Sequence, residues 1–200
     1  MSRILVVGED PLCAALGERL IASALPSWQL AGPSIPSRSF SDLVPKLSRY
    51  AGLARDLHPV LCIADSDRKC PVELVRDHRP TWAPDRFVFR LAVSEAESWV
   101  LADRECFAAA FEVPLARVPR NVDGLADVKE QLLSLVRASR VRRYREEIVS
   151  ESSCPRPGHG YNLHLCAFVR EQWSAQRARH ASPSLDRAVS RLQALGEAPA

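Results

Sequence analysis

Four acidic residues follow short apolar segments and could act together in catalysis. Glu9 follows the segment ILVV, Asp65 and Asp67 follow the segment VLCIA, and Glu97 lies shortly after the segment FVFRLAV. Carboxylates that meet at one site repel one another, and a bound hard cation is a common way to relieve that repulsion. Ligand sets made of oxygen favour Mg²⁺ or Mn²⁺ over zinc. We therefore predict that Glu9, Asp65, Asp67 and Glu97 are metal ligands and catalytic groups.

The number of metal ions stays open. Two ions about 3.5–4 Å apart are the arrangement that two-metal phosphoryl transfer uses, and two divalent ions would balance four carboxylates. A single ion is equally compatible with this pattern of acids.

Some acids in these segments have a competing structural role. Asp10 precedes Pro11, which is the pattern of a helix N-cap followed by proline at the first helical position, so Asp10 is left out of the site. An Asp-x-Asp sequence after a strand can cap a turn. Ser94 and Glu97 fit a capping box, in which each side chain accepts a hydrogen bond from the other residue's amide. A capping glutamate can also bind a metal, and we favour Glu97 over Glu95 as the ligand.

Hydrophobic periodicity shows which elements must position these acids. Strands and helices alternate in the first half of the chain, and this alternation predicts a parallel, doubly wound sheet. The loops at the carboxyl ends of such strands face one crevice, and the four acids fall at that edge. The segment 32–36 (GPSIP) is predicted to be a loop. The predicted strands are residues 3–7, 28–31, 59–64 and 86–93, and the helices between and after them begin at Pro11, Ser41, Pro71 and Ser94.

The second half of the chain is predicted to be helical. The segment from Ser150 to Gly160 contains two prolines and two glycines and is the best candidate for a mobile hinge. The complete prediction is an α/β domain over residues 1–103, with a Rossmann-like parallel sheet of about four strands, and a C-terminal helical lobe over residues 104–200. Helices are expected near residues 94–103, 104–111, 127–148, 161–172 and 183–195.

The arrangement of these motifs resembles a known domain. The first strand ending in Glu9, the strand VLCIAD and the pair Asp65-x-Asp67 resemble the TOPRIM domain of topoisomerases, primases and overcoming-lysogenization-defect nucleases. By this resemblance, Glu9 matches the TOPRIM glutamate, and Asp65 and Asp67 match its Asp-x-Asp metal ligands. In TOPRIM domains a glycine usually follows the glutamate, whereas here Gly8 precedes it. Tyr50, Tyr144 and Tyr161 have no context that marks a topoisomerase nucleophile, so strand passage is not expected.

Further segments are similar to a more specific family, and with them the resemblance covers nearly the whole chain. That TOPRIM-related family has no assigned function and is encoded beside AAA-type ATPases in bacterial defence loci. The resemblance implies an Mg²⁺-dependent or Mn²⁺-dependent nuclease that cleaves DNA or RNA, acts as the effector of an antiviral defence system and has an ATPase partner. By this resemblance, Glu97 matches the family's acid in the segment ESWVLAD (97–103). The similar segments are LAVSEAESWVLADRE (91–105), PRNVDGLADVKEQL (119–132), GYNLHLCAFVREQW (160–173) and SPSLDRAVSRL (182–192).

A basic segment could hold the substrate. The stretch RASRVRRYR, residues 137–145, contains five arginines and no acid. Arg142, Arg143 and Arg145 are therefore candidates for binding nucleic-acid phosphates without reading the base sequence. A solvated helix face is an equally good interpretation of the same residues.

Two other functions remain open. The segment RILVVGEDPL resembles the first strand and acid pair of response-regulator receivers, in which Asp65 would accept a phosphoryl group. A receiver also needs a lysine after a fifth strand, and Lys129 lies inside a predicted helix instead. An inactive TOPRIM-like subunit that docks on an ATPase is the other alternative. Zinc binding by Cys154, His159, His164 and Cys166 is a weaker interpretation, because their spacing matches no compact zinc motif.

Composition limits the class of protein. The chain has 200 residues, of which 46% are hydrophobic and 26% are charged. Its longest apolar runs fall far below the roughly 18 residues of a membrane-spanning helix, and its start lacks the pattern of a signal peptide. The six cysteines include no Cys-x-x-Cys pair, which suits reduced thiols. We expect a cytoplasmic protein that does not contact membranes and that could form oligomers.

Overall fold

The fold is built on a parallel sheet. The computed structural model describes residues 2–150 and 156–198 of the chain. The strands follow the order β2-β1-β4-β5, and β3 pairs with β1 on the same side as β2. This confirms the predicted α/β fold with a Rossmann-like parallel sheet. The strands are β1 (Arg3–Gly8), β2 (Gln29–Leu30), β3 (Ile35–Pro36), β4 (Val60–Asp65) and β5 (Phe87–Ala92).

The prediction of a loop over residues 32–36 is wrong for its last two residues. Ile35–Pro36 forms the two-residue strand β3, in which Ile35 pairs with Val7. The amide of Ser37 then donates to the carbonyl oxygen of Gly8 at 2.7 Å, which continues the ladder. A long-range partner therefore determines this strand, although the local sequence is rich in glycine and proline.

Helices cover both faces of the sheet within the described residues. They alternate with strands in the first half and follow one another in the second half, as the periodicity predicts. The α-helices are α1 (Pro11–Ala24), α2 (Phe40–Leu43), α3 (Leu47–Asp56), α4 (Pro71–His78), α5 (Glu97–Ala102), α6 (Arg104–Ala110), α7 (Val128–Arg137), α8 (Arg142–Ile148), α9 (Tyr161–Glu171), α10 (Ala175–Ala178) and α11 (Pro183–Glu197).

The start of α1 has the predicted cap. Oδ1 of Asp10 accepts a hydrogen bond from the amide of Cys13 at 2.7 Å, and Pro11 occupies the first helical position, where its missing N–H removes no intrahelical bond. Asp10 therefore has a structural role, as the sequence indicated.

Two hydrophobic cores lie on opposite faces of the sheet. Because side chains alternate along a strand, Val6 of β1 packs on the α1 face whereas Val7 packs on the face covered by α3 and α4. The core on the α1 face continues into α5, α7, α9 and α11. Trp99 and Trp173 are fully buried there, and the indole N–H of Trp173 donates to the carbonyl oxygen of Trp99 at 2.9 Å. Residues from both sides of position 103 therefore share one core.

One predicted helix is in fact two. The prediction of a single helix over residues 127–148 is wrong, because the chain leaves helical geometry between α7 and α8. At this break the hydroxyl of Ser139 donates to the carbonyl oxygen of Phe111 at 2.6 Å and accepts from the amide of Val141 at 3.0 Å. Ser139 is a residue type that competes with helix by bonding the backbone. Within the described ranges, no helix is long and apolar enough to cross a bilayer.

Candidate functional site

Glu9 lies in a close connection between β1 and α1, at the carboxyl end of the sheet. A Cβ atom on Gly8 would lie 2.4 Å from the amide nitrogen of Ala14, so this approach of strand and helix requires glycine. The amide of Glu9 donates to the carbonyl oxygen of Ile63 at 2.9 Å. Its side-chain Oε2 accepts a hydrogen bond from the amide of Asp65 at 2.9 Å. Glu9 and Asp65 therefore belong to one hydrogen-bonded unit.

Asp65 ends β4 and is 8% exposed. Its Oδ1 accepts a hydrogen bond from the amide of Ala96 at 2.8 Å and is contacted by the thiol of Cys13 at 3.6 Å. Three elements, β4, α1 and the segment that enters α5, thus converge on one carboxylate. The prediction that these strand ends face a common crevice agrees with this geometry.

The connection from β5 to α5 differs from the prediction. The helix expected to begin at Ser94 begins at Glu97, with Ala96 as its N-cap. Ser94 adopts a left-handed conformation with φ of 63°, and its amide donates to the hydroxyl of Ser66 at 2.9 Å. The predicted capping box is therefore wrong, because this turn takes Ser94 away from the helix start. Asp67 helps to fix the same turn by donating its amide to the carbonyl oxygen of Ser94 at 2.9 Å.

Glu97 is buried in the crevice, with 1% of its surface exposed. The hydroxyl of Tyr161, from α9, donates a short hydrogen bond to its Oε1, and the ammonium group of Lys129 lies 3.5 Å from the same oxygen. Its Oε2 is also buried and has no hydrogen-bond partner among the described residues. A buried carboxylate oxygen without a donor is energetically unfavourable, and such an oxygen is available to a ligand.

Lys129 links the crevice to the start of α7. Its ammonium group donates to Oε1 of Glu95 at 3.2 Å, and its backbone amide donates to Oε2 of Glu95 at 2.9 Å. Burial lowers the pKa of Lys129, but the adjacent Glu97 and Glu95 outweigh that effect and raise it above its ordinary value. Lys129 is therefore a fixed positive charge beside the carboxylates.

The electrostatics mark Glu9, Asp65 and Glu97 as one cluster, which we call the acidic cluster. Burial raises the pKa of Glu9, and the charges of Asp67 and Asp10 raise it further. Burial also raises the pKa of Asp65 well above its ordinary value, with further contributions from Glu97 and Glu9. Burial raises the pKa of Glu97 even though Lys129 and Tyr161 act in the opposite direction. Perturbed carboxylates of this kind concentrate at functional sites.

The structure places the fourth predicted ligand differently. Asp67 is exposed and lies in the turn after β4 with φ of 47°, so it stands at the rim of the crevice. Its charge reaches Glu9, whose pKa it raises. The acidic cluster therefore contains three of the four predicted acids, and Asp67 lies at its solvent side.

The carboxylate oxygens of the acidic cluster are the kind of ligand that a hard cation prefers. They are not arranged to bind one in this structure. Oε2 of Glu9, Oδ1 of Asp65 and Oε1 of Glu97 each accept a hydrogen bond from the protein. Oε2 of Glu97 has no hydrogen-bond partner among the described residues, so it is the clearest ligand for an ion. Across residues 2–150 and 156–198, however, no group of three or more His, Cys, Asp or Glu side chains is arranged so that it could hold a metal ion. Binding of an ion would therefore require these carboxylates to approach one another more closely.

The three predicted phosphate-binding arginines lie on α8 and have protein partners. Nε of Arg142 lies 2.6 Å from Glu146, and Nε of Arg143 lies 3.0 Å from Glu147, although the side chains are 81% and 64% exposed. Arg145 donates to the carbonyl oxygen of Ser139 at 2.6 Å. Arg142 and Arg143 could exchange their surface ion pairs for phosphates, whereas Arg145 holds the break between α7 and α8.

The zinc interpretation has little support in the geometry. Cys154 lies outside the described residues, as do the other residues of the predicted hinge from 151 to 155. Nε2 of His164 lies 2.6 Å from Oε2 of Glu147, so His164 is already paired with a carboxylate. Burial raises the pKa of the Cys166 thiol to about 11, which disfavours the thiolate that zinc requires.

Sequence reasoning missed Lys129 and Tyr161. The chain has 24 arginines and three lysines, and Lys129 is the lysine of its second half. That departure from the prevailing use of arginine could have marked Lys129 as a candidate site residue. Tyr161 gave no local signal, because its role depends on contact with Glu97, which lies 64 residues earlier in the chain. Burial and the charge of Glu97 raise the pKa of Tyr161 well above its ordinary value, so it remains a donor.

Comparison of the chain with protein-family models, with curated proteins and with solved structures found no match.

Proposed function

We propose that this protein is a divalent-cation-dependent nuclease, with Mg²⁺ or Mn²⁺ as its cofactor and the acidic cluster as its active site. The observation that carries the proposal is the convergence of Glu9, Asp65 and Glu97 from three strand ends, all with raised pKa values. A divalent cation would relieve their mutual repulsion and would favour their ionised forms. Oε2 of Glu97, which has no hydrogen-bond partner among the described residues, supplies an oxygen ligand for the ion.

Each residue has a distinct role in this proposal. Asp65 and Glu97 would hold the ion, which supplies an activated water and stabilises charge on the phosphodiester. Glu9 would hold a proton or orient a ligand at the edge of the crevice, and the exposed Asp67 would complete the set at its rim. Lys129 contributes a fixed positive charge beside Glu97, where it can stabilise negative charge on the substrate.

The substrate and partner follow from the same proposal. Arg142 and Arg143 would hold the phosphates of DNA or RNA through contacts that do not depend on base sequence. The resemblance to a family encoded beside AAA-type ATPases supports a role as a defence effector that an ATPase controls in the cytoplasm. The resemblance supports this role through sequence motifs, independently of the geometry of the acidic cluster.

Calorimetric titration with Mg²⁺ and with Mn²⁺ tests the cofactor without any partner protein. The wild type should bind at least one of the ions, and Asp65→Asn should weaken that binding at least about tenfold, because it removes a ligand charge. Asp77→Asn is the matched control, since Asp77 is exposed and pairs with Arg76. Absence of binding by the wild type to either ion up to about 10 mM would contradict the proposal.

Cleavage of labelled DNA and RNA tests the activity. With metal present, Asp65→Asn should reduce the rate at least about 100-fold, because metal-held water supplies much of the catalysis. Asp77→Asn should leave the rate unchanged. Cleavage that Asp65→Asn does not reduce would place any nuclease activity outside the acidic cluster.

A phospho-acceptor function is a second candidate, and Lys129 is the observation that favours it. The sequence showed no lysine after a fifth strand, whereas in the structure Lys129 of α7 lies at the acidic cluster, where its charge reaches Asp65. Incubation with acetyl phosphate followed by intact-mass measurement tests this function. A phosphoryl adduct that Asp65→Asn abolishes would support it, and an unmodified wild type would refute it.

A further inference from the structure

The free edge of the sheet carries a groove that the proposed nuclease function does not use. Strand β5 pairs with β4 on one side, and within the described residues no strand pairs with its other side. A pocket of about 580 Å³ lies along this edge, between α4 and α11. We call it the β5 groove. The residues that line it include Val72 and Val75 of α4, Leu91 of β5 and Arg187 of α11.

The backbone of β5 presents free hydrogen-bonding groups to this groove. Residues of a parallel strand alternate in the neighbour to which they turn their N–H and C=O groups. The carbonyl oxygens of Arg86 and Ala92 accept hydrogen bonds from β4 and from the residue that follows it. Phe89 and Leu91 occupy the alternate positions of β5, so their N–H and C=O groups turn to the open edge. Such an edge is a template for an added strand.

The two walls of the groove differ in chemistry. On the α4 side, Val72 is 75% exposed and lies beside Val75 and Leu91, which gives an apolar wall. On the α11 side, Arg90 points to the same face of the sheet as Val88 and meets Arg187. An extended ligand would therefore meet apolar side chains on one face and guanidinium groups on the other.

The two arginines of this groove have no acidic partner within the part of the chain that the structure describes. The buried Nε of Arg90 has no hydrogen-bond partner among the described residues. Arg187 forms no ion pair with any residue in the described ranges. Burial lowers the pKa of Arg90, and the charges of Arg191, Arg187 and Arg79 lower it further. No acidic side chain is among the residues that line the pocket. Clustered cations with a buried unpaired donor favour a negatively charged ligand.

We propose that the β5 groove binds an acidic peptide segment of a partner protein, which adds to β5 as an extended strand. Alternate side chains of an extended peptide point to opposite faces. One set would be apolar and pack on Val72 and Val75, and the other would be acidic and pair with Arg90 and Arg187. A second copy of this chain is a poorer occupant, because pairing two β5 edges would bring like-charged arginines together.

Fluorescence anisotropy with a labelled peptide, Gly-Ser-Val-Glu-Val-Glu-Val-Glu-Ser-Gly, tests the proposal on the full chain. We expect saturable binding whose affinity falls at least about tenfold in Arg187→Glu, because the substitution reverses a protein charge that faces the peptide. Arg187 is exposed, so this variant should fold. Arg117→Glu is the matched control, since Arg117 is an exposed arginine outside the groove, and it should change the affinity less than about twofold.

Three further peptides separate strand addition from other modes of binding. A peptide with lysine at each glutamate position and one with the same residues in the order Val-Val-Val-Glu-Glu-Glu should both fail to bind. A peptide with N-methyl groups on alternate amides should also fail, because it cannot complete the ladder. The proposal would be overturned if any of these three peptides bound as tightly as the first, or if the first did not bind up to about 1 mM. Self-association through the groove in sedimentation velocity would overturn it as well. None of these measurements requires a metal, so they are independent of the nuclease proposal.

Discussion

Replacement of Lys129 by methionine tests whether a single cation balances the acidic cluster. The ammonium group of Lys129 lies 3.5 Å from Oε1 of Glu97, whose side chain is 1% exposed. Methionine keeps most of the aliphatic length but removes the charge. Glu97 would then keep the hydroxyl of Tyr161 as a hydrogen-bond donor but would lose the neighbouring charge of Lys129. The expected result is a less stable protein at neutral and alkaline pH.

The magnitude follows from the distance and the burial. Two unit charges 3.5 Å apart interact by about 5 kcal/mol at an effective dielectric constant of about 20. Lys129 is 34% exposed, so solvent screens part of this interaction, and a loss of about 2–4 kcal/mol in the free energy of unfolding is expected at pH 8. Removal of Lys129 raises the pKa of Glu97 further. The loss should therefore shrink as the pH falls through that pKa and Glu97 becomes neutral.

Urea unfolding at pH 5 and pH 8 measures this effect. Lys46→Met is the matched control, because Lys46 pairs with Asp42 at 2.9 Å but is 42% exposed, and its replacement should have a much smaller effect. In a Glu97→Gln background, Lys129→Met should have a smaller effect, and the part that remains reports the pair of Lys129 with Glu95 at 3.2 Å. If Lys129→Met is no more destabilising than Lys46→Met, or if its effect is the same with Gln at position 97, the assigned charge balance is incorrect.

Three other substitutions follow from the same geometry. Tyr161→Phe removes the hydroxyl donor to buried Glu97 and should destabilise the fold by about 1–3 kcal/mol in chemical unfolding. Asp65 has a folded-state pKa raised above its unfolded value, so its contribution makes the protein less stable as the pH rises from the unfolded pKa through the folded one. Asp65→Asn should therefore flatten the dependence of melting temperature on pH above pH 4, and an unchanged slope would be evidence against the raised pKa. Gly8→Ala places a Cβ atom 2.4 Å from the amide nitrogen of Ala14 and should destabilise the protein by more than about 1 kcal/mol, measured by thermal unfolding. A melting temperature equal to the wild type would show that this turn can open.

The elements that sequence predicts well are those whose local pattern and tertiary environment agree. β1 and β4 are continuous apolar runs buried on both faces of a parallel sheet, and the observed bounds lie within one residue of the prediction. α1 has a cap, a proline and an apolar stripe that all indicate the same helix. The break at Ser139 was not predictable, because it depends on a hydrogen bond to Phe111, which lies 28 residues earlier.

The candidate site was partly accessible to the same reasoning. The rule that parallel strand ends share a crevice predicts that Glu9 and Asp65 lie close together, and the amide of Asp65 does bond to Glu9. The rule does not give side-chain depth, so it could not separate the exposed Asp67 from the buried Asp65. Lys129 and Tyr161 come from helices that reach the crevice through the packing of the second half on the α1 face. Periodicity predicts such helices but not the sheet edge that each will approach.

Two features that break local rules of folding lie on β5 and on the helix that follows it. A protein under selection for stability alone gains nothing from an unpaired buried oxygen on Glu97 or from an unpaired buried nitrogen on Arg90. The two atoms have opposite chemistry, an acceptor without a donor and a donor without an acceptor, and they lie seven residues apart on β5 and the helix that follows it. Hydrophobic burial elsewhere in the two cores must offset both. Ligands of opposite charge, a cation at the carboxyl end of β5 and an acidic chain along its edge, would satisfy both atoms, and this is the physical reason for proposing two separate sites.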